Sequence, residues 1–292
     1  MSSPFVRRRQ SLAREIIALC KAAGMTTVQL GAAIGVSRQR ISRILNGHSV
    51  STPEETAGML AALDATEETT ARVIRIAEEA RAPAWWASIA QQMGTSQALY
   101  AEIESGARRI QEYQMVFIPG LLQTREFAEV RTLSDRADWS TGFDPQVAVR
   151  ARLRRQEELR LPCGPEYEVV IDAMATCRLP APAAVMLGQL LHLAEVGRTP
   201  NAISIRVLPL DARLAGHVVP KSAFGIYSYP DDPPLVAVDT VTEDLLYTDG
   251  AKLKHYENLY QVLREASLSP AESVEFFLTA ADDLARQIGR TP

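Results

Sequence analysis

Cysteine is scarce in this chain. Its 292 residues hold Cys20, Cys163 and Cys177, far apart and without a CxxC pair. Such a set supports no disulfide framework and suits a reducing compartment. Histidine is equally thin: His48, His192, His217 and His255 stand isolated, with no ligand-spaced partner, so no metal site is expected. GxSxG, the P-loop, GxGxxG and HExxH are all missing, so neither an enzyme nor a cofactor is expected. No apolar run approaches the roughly 18–20 residues of a membrane span. The stretch after Arg7-Arg8-Arg9, Ser11-Leu12-Ala13-Arg14-Glu15, is too charged for the core of a signal peptide. The expected location is the cytoplasm, with no membrane partner.

What is present is ordinary for a globular protein, 47% hydrophobic and 23% charged. The length predicts two domains, and the texture changes at Pro83, giving a head over 1–82 and a body over 83–292. Charge is divided unevenly between them. Residues 1–63 hold eight basic and three acidic groups, net +5, and the remainder carries −9 of the overall −4. A basic head on an acidic body is the profile of a polyanion-binding module joined to one with a different task.

The head reads as helices. Leu12, Ile16, Leu19 and Ala23 form one apolar stripe between Gln10 and Ala23, ended by Gly24. Thr26 and Gln29 fit a capping box, opening a second helix that carries Leu30 and Ile34 inward and stops at Gly35. Gly31 and Ala32 are small enough to let a neighbouring helix approach. Ser37 caps a third helix over 38–45, closed by Asn46-Gly47. Thr52-Pro53-Glu54-Glu55 starts a fourth, with Leu60 and Leu63, and Thr66 a fifth, with Val73, Ile76 and Ala80. Two short helices joined by a glycine-containing turn are a helix-turn-helix pattern.

Ile41, Ile44 and Leu45 anchor the third helix, which leaves Arg38, Gln39, Ser42 and Arg43 on its outer face for base edges in a major groove. Arginine pairs two donors with guanine O6 and N7, and glutamine pairs with adenine N6 and N7. Arg40, the Arg7-Arg8-Arg9 cluster, Thr26, Thr27, Ser37, Asn46, His48 and Ser49 suit phosphate, which positions without specifying.

The residues Thr26, Leu30, Ile34, Gly35, Val36, Ser37, Ile41, Ser42, Ile44 and Gly47 make this segment resemble the helix-turn-helix of the Cro and phage-repressor type, the XRE family. The resemblance implies that Arg38, Gln39 and Arg43 touch bases. Thr27 stands where the family usually has glutamine, and Gly31 where it usually has alanine.

Strands and helices mix in the body. Strands are predicted over 110–118, 167–171, 203–208, 224–229 and 235–238, and helices over 96–104, 124–133, 144–160, 182–196, 253–265 and 270–288. The whole is an all-α helix-turn-helix head followed by an α+β C-terminal domain. Ile118-Pro119-Gly120-Leu121-Leu122-Gln123-Thr124, Arg152-Leu153-Arg154-Arg155-Gln156, Gln189-Leu190, Ile205-Arg206-Val207-Leu208-Pro209 and Ser269-Pro270-Ala271-Glu272-Ser273 occur in that order. Together they resemble the WhiJ-like, antitoxin-like regulators of actinobacteria, which implies a small acidic protein encoded nearby, or a small-molecule effector, as partner of the body. Asp172-Ala173-Met174 departs from that pattern, which has glutamate at the first place.

Candidate partner residues on the body are Trp85, Trp86, Gln123, Arg152 and Arg155. Each has a plainer reading: the tryptophans as hydrophobic packing, the run Arg150, Arg152, Arg154 and Arg155 as a solvated helix face, and the IPGLLQT stretch as a packed turn. The expected function is a sequence-specific DNA-binding transcriptional regulator, a homodimer on double-stranded DNA, controlled by a ligand or small protein. The alternative is an antitoxin-like protein that sequesters a neighbouring gene's product and binds DNA for autoregulation.

Overall fold

The computed structural model describes residues 4–45, 51–81, 85–134, 142–162, 164–199, 203–230, 232–240 and 244–289. The chain divides into two units, Met1–Trp85 and Trp86–Pro292.

Apolar residues at helical spacing set the elements of the first unit: α1 (Pro4–Ala22), α2 (Thr27–Ala33), α3 (Arg38–Leu45), α4 (Pro53–Ala62) and α5 (Glu67–Arg81). Helices as short as α2 and α3 are marginal alone and depend on burying one face. These faces meet in one core of Leu12, Ile16, Cys20, Leu30, Ile41, Ile44, Met59, Leu60 and Val73. Burial there pushes the Cys20 thiol up, away from a reactive thiolate. Capping boxes at Thr26/Gln29 and Thr52/Glu55 start α2 and α4. Gly24 and Gly35, at φ +62° and +69°, make the left-handed turns that end α1 and α2. The first helix begins at Pro4, earlier than the apolar stripe from Gln10 predicts.

In the second unit α6 (Ala90–Met93) and α7 (Thr95–Glu104) lead into β1 (Arg109–Gln114). Then come α8 (Arg125–Ser134), α9 (Pro145–Leu159), β2 (Glu166–Asp172), α10 (Met174–Cys177), α11 (Ala183–Arg198) and β3 (Ile203–Leu208). β4 (Phe224–Ser228), β5 (Leu235–Val238), β6 (Leu245–Tyr247), α12 (Gly250–Glu265) and α13 (Pro270–Ile288) complete it. One mixed sheet holds the strands in the order β3-β2-β1-β4-β5-β6. β1, β2 and β3 are parallel, which requires the helical crossovers α8–α9 and α11, while β4, β5 and β6 follow antiparallel.

Both faces of the sheet are covered. One face packs Val169, Ile171, Ile205 and Val207 with Phe127 of α8, Met186 and Leu190 of α11 and Phe277 of α13. On the other, Val170, Phe224, Ile226 and Val236 meet Tyr260 and Leu263 of α12. The edge strand β3 is closed by the Ser269-Pro270-Ala271-Glu272-Ser273 motif. Ser269 caps α13 through Glu272, and the buried Ser273 Oγ accepts from the Val207 N–H at 2.9 Å. The predicted strand over 110–118 stops at Gln114, and the short β6, α6 and α10 carry too little pattern to have been predicted.

The IPGLLQT stretch is a turn pinned by three buried glutamines from three segments. Gln123 Nε2 donates to the Ile118 carbonyl at 2.8 Å. Gln156 Nε2, on α9, donates to the carbonyls of Gly120 and Gln123, each at 2.9 Å. Gln189, on α11 and fully buried, donates from Nε2 to the Leu122 carbonyl and accepts from the Thr124 N–H, both at 2.8 Å. A loop run between helices has backbone groups with no ladder to join, and the glutamine amides supply both donor and acceptor. Replacing Gln189 by Leu strands one carbonyl and one N–H in the core. The expected loss is about 2–4 kcal/mol, read as a lowered urea midpoint with unchanged m-value.

Candidate nucleic-acid interface

On α3 the apolar residues Ile41, Ile44 and Leu45 are buried, and Arg38, Gln39, Ser42 and Arg43 are exposed. The 100° advance per residue separates the two sets, so four side chains able to meet base edges lie on the face away from the core. The Ser37 hydroxyl accepts from the Arg40 N–H at 3.2 Å and starts the helix.

Gly31 explains how α2 and α3 come so close. A Cβ built there would lie 2.7 Å from the Val36 carbonyl oxygen and 3.4 Å from Ile41 Cγ1. The glycine thus matches a turn drawn in tightly against the helix, and the Val36 N–H donates back to the Gly31 carbonyl at 2.9 Å.

Arg40, expected on phosphate, has a partner within the head. Its guanidinium makes a fork on Glu55, Nε to Oε1 at 2.9 Å and Nη2 to Oε2 at 2.8 Å. Glu55 is also the capping residue of α4, so one carboxylate fixes the start of α4 and clamps α3 to it. The Arg40 guanidinium holds the Glu55 carboxyl below its ordinary range. Sequence reasoning missed the pair because the partners are fifteen positions apart on different helices. Thr26, expected on phosphate, has its hydroxyl in the capping box with Gln29, while Thr27 and Ser37 are exposed. Arg7, Arg8 and Arg9 fall within α1, and their side chains lie outside what the structure describes. Asn46, His48 and Ser49 lie outside the described residues.

A helix-turn-helix domain model matches residues 11–73. The model of a domain of unknown function, DUF5753, matches residues 97–279, more than half of the chain. The chain belongs to the DUF5753 family. Neither a curated protein nor a solved structure matches it. The head is therefore a helix-turn-helix domain, a DNA-binding fold, attached to a DUF5753 body.

Trp85 ends the first unit, and on the body the other candidate partner residues, Trp86, Gln123, Arg152 and Arg155, are buried or half-buried. Trp86 is buried and Trp85 half-buried. Gln123 is buried in the pinned turn, where its Oε1 accepts from Arg152 Nη1 at 2.6 Å. Arg155 is buried too. Its Nε and Nη2 donate to Glu104 of α7 at 2.7 and 2.5 Å, and its guanidinium lies 5.7 Å from the Tyr100 ring. The sequence run of arginines on α9 is thus not one solvated face. Arg155 points inward because α9 turns that side toward α7.

Next to this ion pair is a polar group that sequence reasoning did not single out. Glu112 of β1 accepts from Tyr167 Oη at 2.5 Å on Oε2 and from Gln114 Nε2 at 2.9 Å on Oε1. Burial pushes the Glu112 carboxyl up, and the same burial pushes up the phenols of Tyr100, Tyr167 and Tyr227 around it. Gln114 Oε1 is buried without a hydrogen-bond partner.

Two stability predictions follow from these carboxylates, with opposite signs. For Glu55 the folded pKa is depressed, so its contribution is present above the ordinary carboxylate range and is lost as pH falls through the lowered value. Arg40→Met is expected to cost about 1 kcal/mol at neutral pH, less below pH ~4, in chemical denaturation. For Glu112 the folded pKa is raised, so stability is fully present below the unfolded value and is lost as pH rises through the folded one. Glu112→Gln removes the buried charge, and its new amide can donate to an oxygen on Gln114. It is expected to stabilise by about 1 kcal/mol at pH 8 and by little at pH 4. Parallel urea titrations at the two pH values check both.

Proposed function

We propose that this protein is a sequence-specific transcriptional regulator of the XRE type, resembling the WhiJ-like regulators, that docks on double-stranded DNA as a homodimer in the cytoplasm. Its DUF5753 body receives the controlling signal, a small acidic protein or a small-molecule effector. The observation that carries this reading is the division of α3. Its apolar side is locked into the core, Arg40 is held by Glu55, and Arg38, Gln39, Ser42 and Arg43 are left exposed. A helix held on two sides presents its remaining side chains with little freedom, which is what reading bases requires.

In this reading Arg38 and Gln39 specify, while Arg7, Arg8 and Arg9 add sequence-independent affinity through phosphate. Arg38→Ala is expected to lose about 1–3 kcal/mol on the preferred site and to relax preference at one base pair. Replacing Arg7, Arg8 and Arg9 together is expected to weaken all sequences alike and flatten the salt dependence. Selection from a random duplex pool, followed by anisotropy titration of the winners at several salt concentrations, separates the two. An Arg38→Ala protein that selects the same sequences as the native one would remove α3 as the reading helix.

A further inference from the structure

Successive side chains of a strand point to opposite faces, so the register of the body's sheet says which residues share a face. On the face that α7 packs against, Glu112 of β1 stands beside Gly225 of β4, and Gly225 beside Ala237 of β5. The next row on that face, two positions along, is Gln114, Ala223, Asp239 and Asp244, crossing from β1 to the start of β6. The middle of this patch is made of the smallest side chains, Gly225, Ala223 and Ala237, and polar groups flank it on both sides. With strands about 4.8 Å apart, Gln114 and Asp239 stand roughly 10 Å from each other across it. A shallow floor with polar walls results.

Tyr227, two positions from Gly225 on β4, is turned over this floor. A Cβ at Gly225 would lie 2.9 Å from both Tyr227 Oη and Tyr227 Cε2, so the glycine is what lets the phenol lie there. Tyr227 is only 2% exposed, yet its hydroxyl makes no hydrogen bond among the described residues. On the same face Gln114 Oε1 is also buried without a hydrogen-bond partner. Buried hydroxyl and amide groups are ordinarily paired, so two unpaired ones on one face ask for a common partner. Tyr100 of α7 reaches over from the opposite side, its Oη donating to Asp244 Oδ1 at 3.4 Å. Ala223, Gln114, Glu112, Tyr100 and Asp244 are all half-buried, so a small molecule can reach the floor between them.

Charge gives the ligand its sign. The charged groups that bear most on the phenols of Tyr100 and Tyr227 are Asp244, Asp239, Glu112, Glu104 and Arg155. Arg155 is forked on Glu104, so those two cancel and Glu112, Asp239 and Asp244 remain. Glu112 receives a hydroxyl and an amide donor, and among the described residues no cation is hydrogen-bonded to it. Gln114 Oε1 calls for a donor, the carboxylates call for positive charge, and the phenols suit a cation at the ring face or an N–H at the oxygen. A primary ammonium group meets all three, with three donors and one charge. A neutral polyol would satisfy the hydroxyl and the amide but leave the carboxylates without a counter-charge.

We infer that the body binds a small primary amine on this floor, with Gln114 Oε1, Tyr227 Oη and a flanking carboxylate as acceptors for its ammonium group. The inference rests on the small-molecule control of the body proposed above and names the chemical class of that effector.

The test is isothermal titration calorimetry of the full chain with putrescine, ethanolamine and choline, beside thermal melts. Putrescine and ethanolamine are expected to bind and to raise the melting temperature. Choline, which has no N–H, is expected to bind at least about tenfold more weakly than ethanolamine. Tyr227→Phe is expected to weaken both amines about tenfold without lowering the melting temperature, because the hydroxyl it removes is buried and unpaired. Glu112→Gln, expected above to stabilise the body, is expected to weaken them by about tenfold or more. A purely structural role for these residues would move stability and leave binding alone. No binding of either amine at millimolar concentration overturns the inference, as do choline bound as tightly as ethanolamine and amine binding that both variants leave intact. If the amines fail to bind while the chain still selects a DNA sequence, the site is wrong and the regulator stands. If both variants weaken amine binding but the chain selects no sequence, the site stands and the regulator falls.

Discussion

The body depends on how the chain leaves β1. A parallel neighbour such as β2 cannot be reached by a hairpin, so the chain must turn off the sheet and pass beneath helices. The turn at residues 118–124 does this inside the protein, where each unpaired peptide group carries a desolvation cost of about 1–3 kcal/mol. Gln123, Gln156 and Gln189 meet that cost at four carbonyls and one N–H, from positions on the turn itself, on α9 and on α11. The same bonds therefore locate both helices against the turn. Leucines at these places would pack as well but leave the turn unsatisfied, which is why glutamine, seldom fully buried elsewhere, is the suitable residue.

A second set of buried polar groups involves α7, α9 and β1 and has another character. Arg155 and Glu104 form a fork in which charge is balanced, so α9 and α7 are joined at modest net energy but with a defined geometry. Glu112, on β1 in the same unit, has a hydroxyl and an amide donor and, among the described residues, no cation hydrogen-bonded to it. Its environment favours the neutral acid, and the body is thereby expected to be more comfortable at mildly acidic pH than its other carboxylates alone would make it.

Elements with strong local signals were legible before the fold. The capping boxes at Thr26, Thr52 and Ser269 mark helix starts to the residue, since the cap is a local hydrogen-bond pattern written within four positions. The strands at 203–208 and 235–238 were legible because β-branched residues are concentrated there. β6 was not: three residues, Leu245–Tyr247, offer no period, and the strand exists because β5 presents an edge. The end of β1 was overrun because Met115, Val116 and Phe117 have strand-like composition while the chain is already turning towards Pro119.

Side-chain partners separated by long stretches of sequence were illegible for a single reason. A lone arginine on an outer helix face looks the same whether it will meet phosphate or a carboxylate on the next helix, and the composition around Arg40 and Arg38 does not differ. The distinction comes from where α4 starts: its capping Glu55 is placed by the box with Thr52, within reach of the Arg40 guanidinium on α3. Pairing that arginine with Glu55 ties down a cation at the edge of the exposed face and leaves Arg38, Gln39, Ser42 and Arg43 there, none of them on the side of α3 that packs into the core.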